Sequence, residues 1–139
     1  MITRADLDHL LGHASLMTIS TVASSGRPQA AVVNFATTPE LEIILCTRTT
    51  SRKYANLARD PHAALVIGWD DRITAQCEGL AEMPAGAELD RCKQMYLAKH
   101  PQAKLWIDEP TAVFVKVRPT WIRYSDLNHH PWEIKEFTF

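Results

Sequence analysis

The chain has 139 residues, of which 46% are hydrophobic and 22% charged, and its formal net charge is −1. This length and composition predict one globular domain spanning residues 1–139 and exclude intrinsic disorder as the main state. The small net charge argues against a nucleic-acid-binding protein, because such proteins carry a strong basic field. Three widely spaced cysteines, the lack of a leader and the lack of a long apolar segment predict a cytoplasmic protein with no membrane span.

Hydrophobic periodicity along the chain predicts a β-rich protein with three helices. Alternating or β-branched apolar runs indicate strands, and apolar residues three and four apart indicate helices. The predicted elements are helix 4–13, strands 16–23, 29–37 and 41–47, helix 51–60, strands 62–69 and 72–82, helix 85–99, a loop or single turn at 102–110, and strands 111–117 and 121–125. This order predicts a mainly β fold with peripheral helices, built as a closed or nearly closed antiparallel barrel.

Four local features refine the predicted barrel. Asp70-Asp71 is predicted to be a two-residue turn, and Gly79 within a strand indicates a bulge or bend. Pro119 is expected to end the strand before it, so that 121–125 forms an edge strand or a sheet corner. The aromatic tail 126–139 is expected to dock onto the domain or onto a second copy of the chain.

The segment Leu45–Lys53 joins a predicted buried strand to a helix N-terminus and is rich in anion-binding groups. Free backbone N–H groups and the positive end of the helix dipole favour a phosphate there, and Arg52 and Lys53 add charge. The alternative is that Thr50 or Ser51 caps the helix and the two cations form its solvated first turn. Because cations in a first turn oppose the helix dipole, the local chemistry favours a bound phosphate.

The second predicted strand carries small side chains on one of its faces. Ala30, Val32, Asn34 and Ala36 share this face, because strand side chains alternate. A face of this kind leaves room for a flat ligand. Close packing against a neighbouring strand also selects small residues, and both interpretations stay open at this stage.

The motif Cys46–Lys53, followed by Asn56-Leu57, Asp60–Leu65 and Trp69, resembles the pyridoxamine 5′-phosphate oxidase-like family of FMN-binding split barrels in its order and spacing. The resemblance covers roughly residues 3–125. It implies an antiparallel split β-barrel with Greek-key connections. It also implies a homodimer that holds FMN at its interface and acts on a small-molecule substrate.

The resemblance implies a set of cofactor contacts in this chain and no metal site. The phosphate contacts fall on a helix start, and the ring contacts fall on the second strand. The implied residues are Ser51, Arg52 and Lys53 for the FMN phosphate, the backbone of Cys46 and Thr47 for the cofactor edge, Val32, Val33 and Asn34 for the isoalloxazine ring, and Thr74 for a weak contact where the oxidase has a glutamine.

Two departures from the oxidase pattern bear on the substrate. Alanines, Ala31 and Ala36, stand where the oxidase carries an arginine and a lysine, and the tail 126–139 lacks its Arg-x-His substrate motif. Oxidation of pyridoxamine phosphate is therefore not expected. The chain is more similar to the short, general-stress branch of the family.

Several functions are compatible with this resemblance. The first is an FMN-dependent oxidoreductase with an unidentified substrate and no recognisable catalytic acid or base. The alternatives are a non-catalytic flavin-binding stress protein and a deazaflavin-dependent reductase, for whose acidic tail Arg27 and Arg48 are the only additional cations. A more remote alternative is a heme-binding protein with His129 or His130 as an axial ligand.

Overall fold

The computed structural model describes residues 1–139 and contains three α-helices and eight strands. The helices are α1 (Arg4–His13), α2 (Arg52–Arg59) and α3 (Gly86–Lys99), and a 3-10 helix spans Pro101–Leu105. The strands are β1 (Leu16–Val22), β2 (Pro28–Asn34), β3 (Ala36–Thr37), β4 (Ile43–Arg48), β5 (His62–Ile67), β6 (Ile73–Glu82), β7 (Ala112–Asp126) and β8 (Glu133–Thr138). None of the helices combines the length and the apolar character needed to cross a membrane.

The strands form one antiparallel sheet in the order β2-β1-β5-β6-β7-β4-β3, with β8 added beside β7. The prediction of a single strand over 29–37 is wrong, because Phe35 divides it into β2, which pairs with β1, and β3, which pairs with β4. β2 and β3 therefore stand at opposite ends of the strand order while only one residue joins them. This connection requires the sheet to curl, and the predicted mainly β split barrel with peripheral helices is confirmed.

Phe35 is held at this connection by two hydrogen bonds outside the strand ladders. Its backbone N–H donates to the Ser15 carbonyl at 3.2 Å, and its carbonyl accepts a hydrogen bond of 2.7 Å from His100 Nε2. Both Phe35 and His100 are buried. The two bonds satisfy backbone groups that would otherwise be unpaired in the core.

Two apolar clusters support the curled sheet. The larger one lies inside the curl, where α1 covers it with Leu7 and Leu11. The smaller one lies between α3 and the opposite face of the sheet, and it includes Tyr96 and Phe114. β2 and β4 approach each other without pairing, which leaves the barrel split there, and α2 adds Leu57 to the larger cluster.

Pro119 does not end a strand as predicted, because β7 continues through it. The β6–β7 register shifts so that Glu78 pairs with Trp121 and Gly79 pairs with Pro119. Thr120 is the extra residue, and its hydroxyl donates to the Glu78 carbonyl at 3.1 Å. Proline is tolerated at a bulge, where its missing N–H leaves no ladder bond unmade. The bulge indicated by Gly79 is confirmed, with its extra residue on the partner strand.

The connection between β5 and β6 is longer than the two-residue turn predicted from Asp70-Asp71. It spans residues 68–72, and Gly68, Asp71 and Arg72 have positive φ angles. A Cβ at Gly68 would lie 2.8 Å from the Leu10 side chain, so the loop packs closely against α1.

The aromatic tail docks onto its own chain, which is one of the two predicted alternatives. Residues Glu133–Thr138 of the tail form β8, which pairs with the second half of β7. The tail therefore widens the sheet beside the bulge.

Replacing Gly79 by alanine tests the close approach at this bulge. An added Cβ would lie 2.6 Å from the Arg118 carbonyl oxygen and 2.8 Å from Val117 Cγ1, so the strands would have to separate. We expect Gly79→Ala to lower the free energy of unfolding by about 1–3 kcal/mol in a urea titration. Gly12→Ala in α1 is the control, because its Cβ meets nothing within 4 Å, and it should raise that free energy by about 0.5–1 kcal/mol. Unchanged stability in Gly79→Ala would contradict the described bulge.

Candidate functional site

The predicted strand-to-helix junction lies between β4 and α2. Ser51 is the N-cap of α2, and its Oγ accepts a hydrogen bond of 3.2 Å from the Tyr54 backbone N–H. The first turn has no acidic residue, and the backbone N–H groups of Arg52 and Lys53 have no partner within the helix, because the helix begins at Arg52. This helix end therefore keeps free donors and the positive end of its dipole.

Two cations without a counter-charge stand at this junction. Lys53 Nζ donates to the Thr47 hydroxyl at 3.4 Å, and that hydroxyl lies 3.0 Å from Ser51 Oγ. Neither Arg52 nor Lys53 forms an ion pair with a carboxylate. Burial lowers the pKa of the Lys53 ammonium, and the Arg52 charge lowers it further. Such a pair is unfavourable in the absence of an anion.

A small cavity of about 90 Å³ opens beside the two cations, between α2 and the strands β1 and β2. Its only charged residues are Arg52 and Lys53. The remaining lining residues are uncharged: Ile19, Thr21, Gln29, Ala30 and Ala31. A cavity with this lining suits a compact anion such as a phosphate group, while a larger attached group would extend outside it.

A buried asparagine connects α2 to the two strands that line this cavity. Asn56 Nδ2 donates to Thr21 Oγ1 and to Gln29 Oε1, each at 2.9 Å. On its other side, Asn56 Oδ1 accepts a hydrogen bond of 3.5 Å from Arg59 Nη2, which also donates to the Val22 carbonyl. No pattern in the sequence predicts a role for Thr21, Gln29 or Asn56. The only available signal was that Asn56 belongs to the motif that carries the family resemblance.

The ring-contact residues implied by the resemblance face different directions. Val33 packs against the main core, whereas Val32 lies on the outer face of the sheet with 60% of its surface exposed. Asn34 is half-buried where β2 ends. Cys46 packs against the smaller cluster under α3, and burial raises the pKa of its thiol to about 11. Only the backbone of Cys46 is therefore available on the Lys53 side.

Thr74 stands apart from the small cavity. It lies on β6, and β1 and β5 separate this strand from β2. Its side chain lines a groove of about 380 Å³ on the outer face of the sheet, together with Thr18, Gln76 and Trp121.

Arg48 has a counter-charge, unlike the two cations of the cavity. Its Nη1 lies 2.5 Å from Glu109 Oε2 and 3.1 Å from the Thr111 hydroxyl. His129 and His130 are exposed, and His129 Nε2 lies 3.3 Å from Asp126 Oδ2. No group of three or more His, Cys, Asp or Glu side chains is arranged to hold a metal ion.

Solved structures share this fold. A heme binding protein from Mycobacterium smegmatis superposes with a TM-score of 0.85 at 22% identity, covering 99% of this chain and 59% of that one. General stress protein 26 from Bacillus anthracis gives a TM-score of 0.75 at 19% identity, covering 95% of each chain. A pyridoxamine 5′-phosphate oxidase-related, FMN binding protein from Nostoc punctiforme gives 0.70 at 14% identity, covering 98% and 95%.

Sequence comparison gives the family. A pyridoxine/pyridoxamine 5′-phosphate oxidase from Burkholderia mallei is 34% identical in an alignment 111 residues long, and this alignment covers 77% of this chain and 50% of that protein. The corresponding protein from Burkholderia vietnamiensis is 32% identical over 107 residues, covering 74% and 48%. The chain thus spans about half the length of these relatives. The family model described as pyridoxamine 5′-phosphate oxidase matches residues 4–126, and the chain belongs to this family.

Proposed function

We propose that this protein binds FMN and acts as a flavin-dependent oxidoreductase on a small molecule other than pyridoxamine phosphate. The observation that carries the proposal is the pair Arg52 and Lys53, which line a cavity and have no carboxylate partner. The names of the family and of the Nostoc structure support the choice of FMN as the ligand.

The residues around the cavity fit the phosphate of FMN. The Arg52 guanidinium can donate two parallel hydrogen bonds to phosphate oxygens, and the Lys53 ammonium acts as a point charge. A bound phosphate also offsets the cost of keeping Lys53 protonated in a partly buried position. Ser51 shapes the helix start, and Thr47 orients the Lys53 side chain through the hydrogen bond between them.

FMN, when bound, supplies hydride and electron transfer, and the protein supplies position and access. Val32, Val33 and Asn34 are proposed to line the ring from β2, the two valines through their backbone because their side chains face opposite sides of the sheet. The backbone of Cys46 is proposed to lie at the cofactor edge. Thr74 is proposed to make only a weak contact from the outer face. No side chain near the cavity is proposed as a catalytic acid or base, which leaves a non-catalytic flavin-binding protein as the alternative.

The charges around the cavity favour FMN over a deazaflavin. A deazaflavin cofactor carries an acidic tail that needs cations beyond those that bind the phosphate. Arg48, one of the two candidates, is held by Glu109 and Thr111, so only Arg27 is left. Heme binding is a separate alternative, suggested by the name of the Mycobacterium smegmatis structure. The absorption spectrum of heme differs from that of a flavin, so the two ligands can be distinguished.

We also propose that the protein is a homodimer whose interface is the outer face of the sheet. Val32, Thr18, Val66 and Gln76 are paired in one row across β2, β1, β5 and β6, and both valines are exposed. Exposed apolar residues on a sheet of small side chains are typical of a surface that another chain covers. The same face carries Val32 of the proposed ring site.

Substitution of the two cations tests the phosphate site. We expect Arg52→Ala and Lys53→Ala each to weaken FMN binding by about ten- to a hundredfold, because each removes a charged hydrogen-bond donor. Fluorescence quenching on titration measures the affinity, and circular dichroism checks that the fold is kept. Arg48→Ala is the matched control, and its FMN affinity should equal that of the wild type. Unchanged affinity in both Arg52→Ala and Lys53→Ala would refute the phosphate assignment.

The pH dependence of FMN binding tests the role of Lys53. Its pKa lies below the ordinary value of 10.5 because burial disfavours the charged form. The ammonium is lost as pH rises through this lowered pKa, so FMN affinity should fall at alkaline pH below 10.5. Lys53→Arg keeps its charge over this range and should show a smaller fall in the same titration. Identical pH profiles for the wild type and Lys53→Arg would show that Lys53 does not contribute to phosphate binding.

A charge on the outer face tests the proposed dimer. We expect Val66→Lys to shift the wild-type dimer to a monomer in sedimentation velocity, because burying an unpaired ammonium in an interface is strongly unfavourable. Lys104→Met changes an exposed lysine elsewhere and should leave the sedimentation coefficient unchanged. A monomeric wild type, or a Val66→Lys protein that is still dimeric, would contradict this interface.

A further inference from the structure

We infer that Arg59 and Asn56 set the hydrogen-bonding polarity of the small cavity, so that Thr21 and Gln29 both donate to the phosphate. This makes Thr21 and Gln29 additional phosphate ligands and makes Asn56 the residue that positions them. The inference rests on the proposed function, because it concerns the same cavity beside Arg52 and Lys53.

The orientation of the Asn56 amide follows from its neighbour. Arg59 Nη2 lies 3.5 Å from one end of this amide, and a guanidinium can only donate hydrogen bonds. The end that faces Arg59 is therefore the oxygen, Oδ1. Arg59 is itself anchored to the Val22 carbonyl on β1, so its position does not depend on Asn56 alone. The amide nitrogen, Nδ2, must then point toward the cavity strands.

The Asn56 nitrogen in turn fixes the next two side chains. It donates at 2.9 Å to Thr21 Oγ1 and at 2.9 Å to an end of the Gln29 amide, which must be its oxygen. The Thr21 hydroxyl thus accepts from Asn56 and keeps its own hydrogen free to donate. Gln29 Nε2 has no hydrogen-bond partner in the chain. Arg123 Nε is the only buried side-chain nitrogen or oxygen that lacks a partner, so Gln29 Nε2 must be accessible to solvent.

The polar side chains that line the cavity are therefore all hydrogen-bond donors. Thr21 and Gln29 line it together with Arg52 and Lys53, and no acceptor-only side chain is among them. A dianionic phosphate monoester, whose terminal oxygens only accept, matches such a lining. Riboflavin, whose side chain ends in a hydroxyl group, does not match this lining, because it carries no negative charge. The relay of hydrogen bonds from Arg59 through Asn56 to Thr21 and Gln29 thus favours FMN over riboflavin.

Isosteric substitutions reverse the polarity with little change in shape. In Gln29→Glu, a carboxylate replaces the donor amide. In Asn56→Asp, the side chain can only accept, so it loses its bonds to the Thr21 and Gln29 oxygens. Gln94→Glu adds the same charge on the exposed surface of α3 and is the control. Thr21→Val removes a hydroxyl that Thr21→Ser retains.

The experiment titrates each protein with FMN, with riboflavin and with inorganic phosphate. Fluorescence quenching gives the two flavin affinities, and thermal unfolding reports both the fold and the stabilisation by phosphate. We expect Gln29→Glu, Asn56→Asp and Thr21→Val each to weaken FMN binding at least about tenfold while riboflavin binding stays constant. Gln94→Glu and Thr21→Ser should behave as the wild type. A riboflavin affinity that falls equally would indicate a structural defect and overturn the inference.

The remaining outcomes separate this inference from the proposed function. If Arg52→Ala loses FMN but Gln29→Glu and Asn56→Asp bind it normally, the relay is wrong and the proposed function stands. If the wild type binds inorganic phosphate through Gln29 but does not bind FMN, the relay stands and the proposed function fails. A wild type that binds neither FMN nor phosphate overturns both.

Discussion

The structure depends on the way Phe35 joins the two ends of the strand order. β2 and β3 are consecutive in the chain, yet they lie at opposite ends of the path through the sheet. The backbone at Phe35 is satisfied by Ser15 and His100 instead of by a neighbouring strand. Because leaving these groups unpaired in the core would be costly, the curl of the sheet is fixed at this residue.

The candidate site lies where this curl leaves the barrel split. β2 and β4 approach each other there without forming a ladder, and α2, which follows β4 in the chain, packs against β1. The N-terminus of α2 brings Arg52 and Lys53 to the opening, while Asn56, one turn later, fastens the helix to β1 and β2. The same short helix therefore contributes both the positive charge and the anchor that positions the cavity lining.

The sequence predicts most local features, although not the length of the loop after β5, and it does not reveal contacts between distant residues. The junction before Arg52, the helices and the bulge at Gly79 follow from patterns within a few residues. The division at Phe35 is hidden because its side chain continues the strand alternation, and Pro119 is a strand breaker except where a bulge removes the need for its N–H. The contacts of Asn56 join residues 27 and 35 positions away, and no local pattern encodes them.

The most direct test of the proposed site is the absorption spectrum of the protein after incubation with FMN and removal of unbound ligand by gel filtration. We expect the protein fraction to keep a two-band flavin spectrum equivalent to one FMN per chain, and to lose riboflavin in a parallel experiment. A protein fraction without flavin bands would contradict FMN binding at Arg52 and Lys53. A Soret band in the protein as purified would point instead to heme.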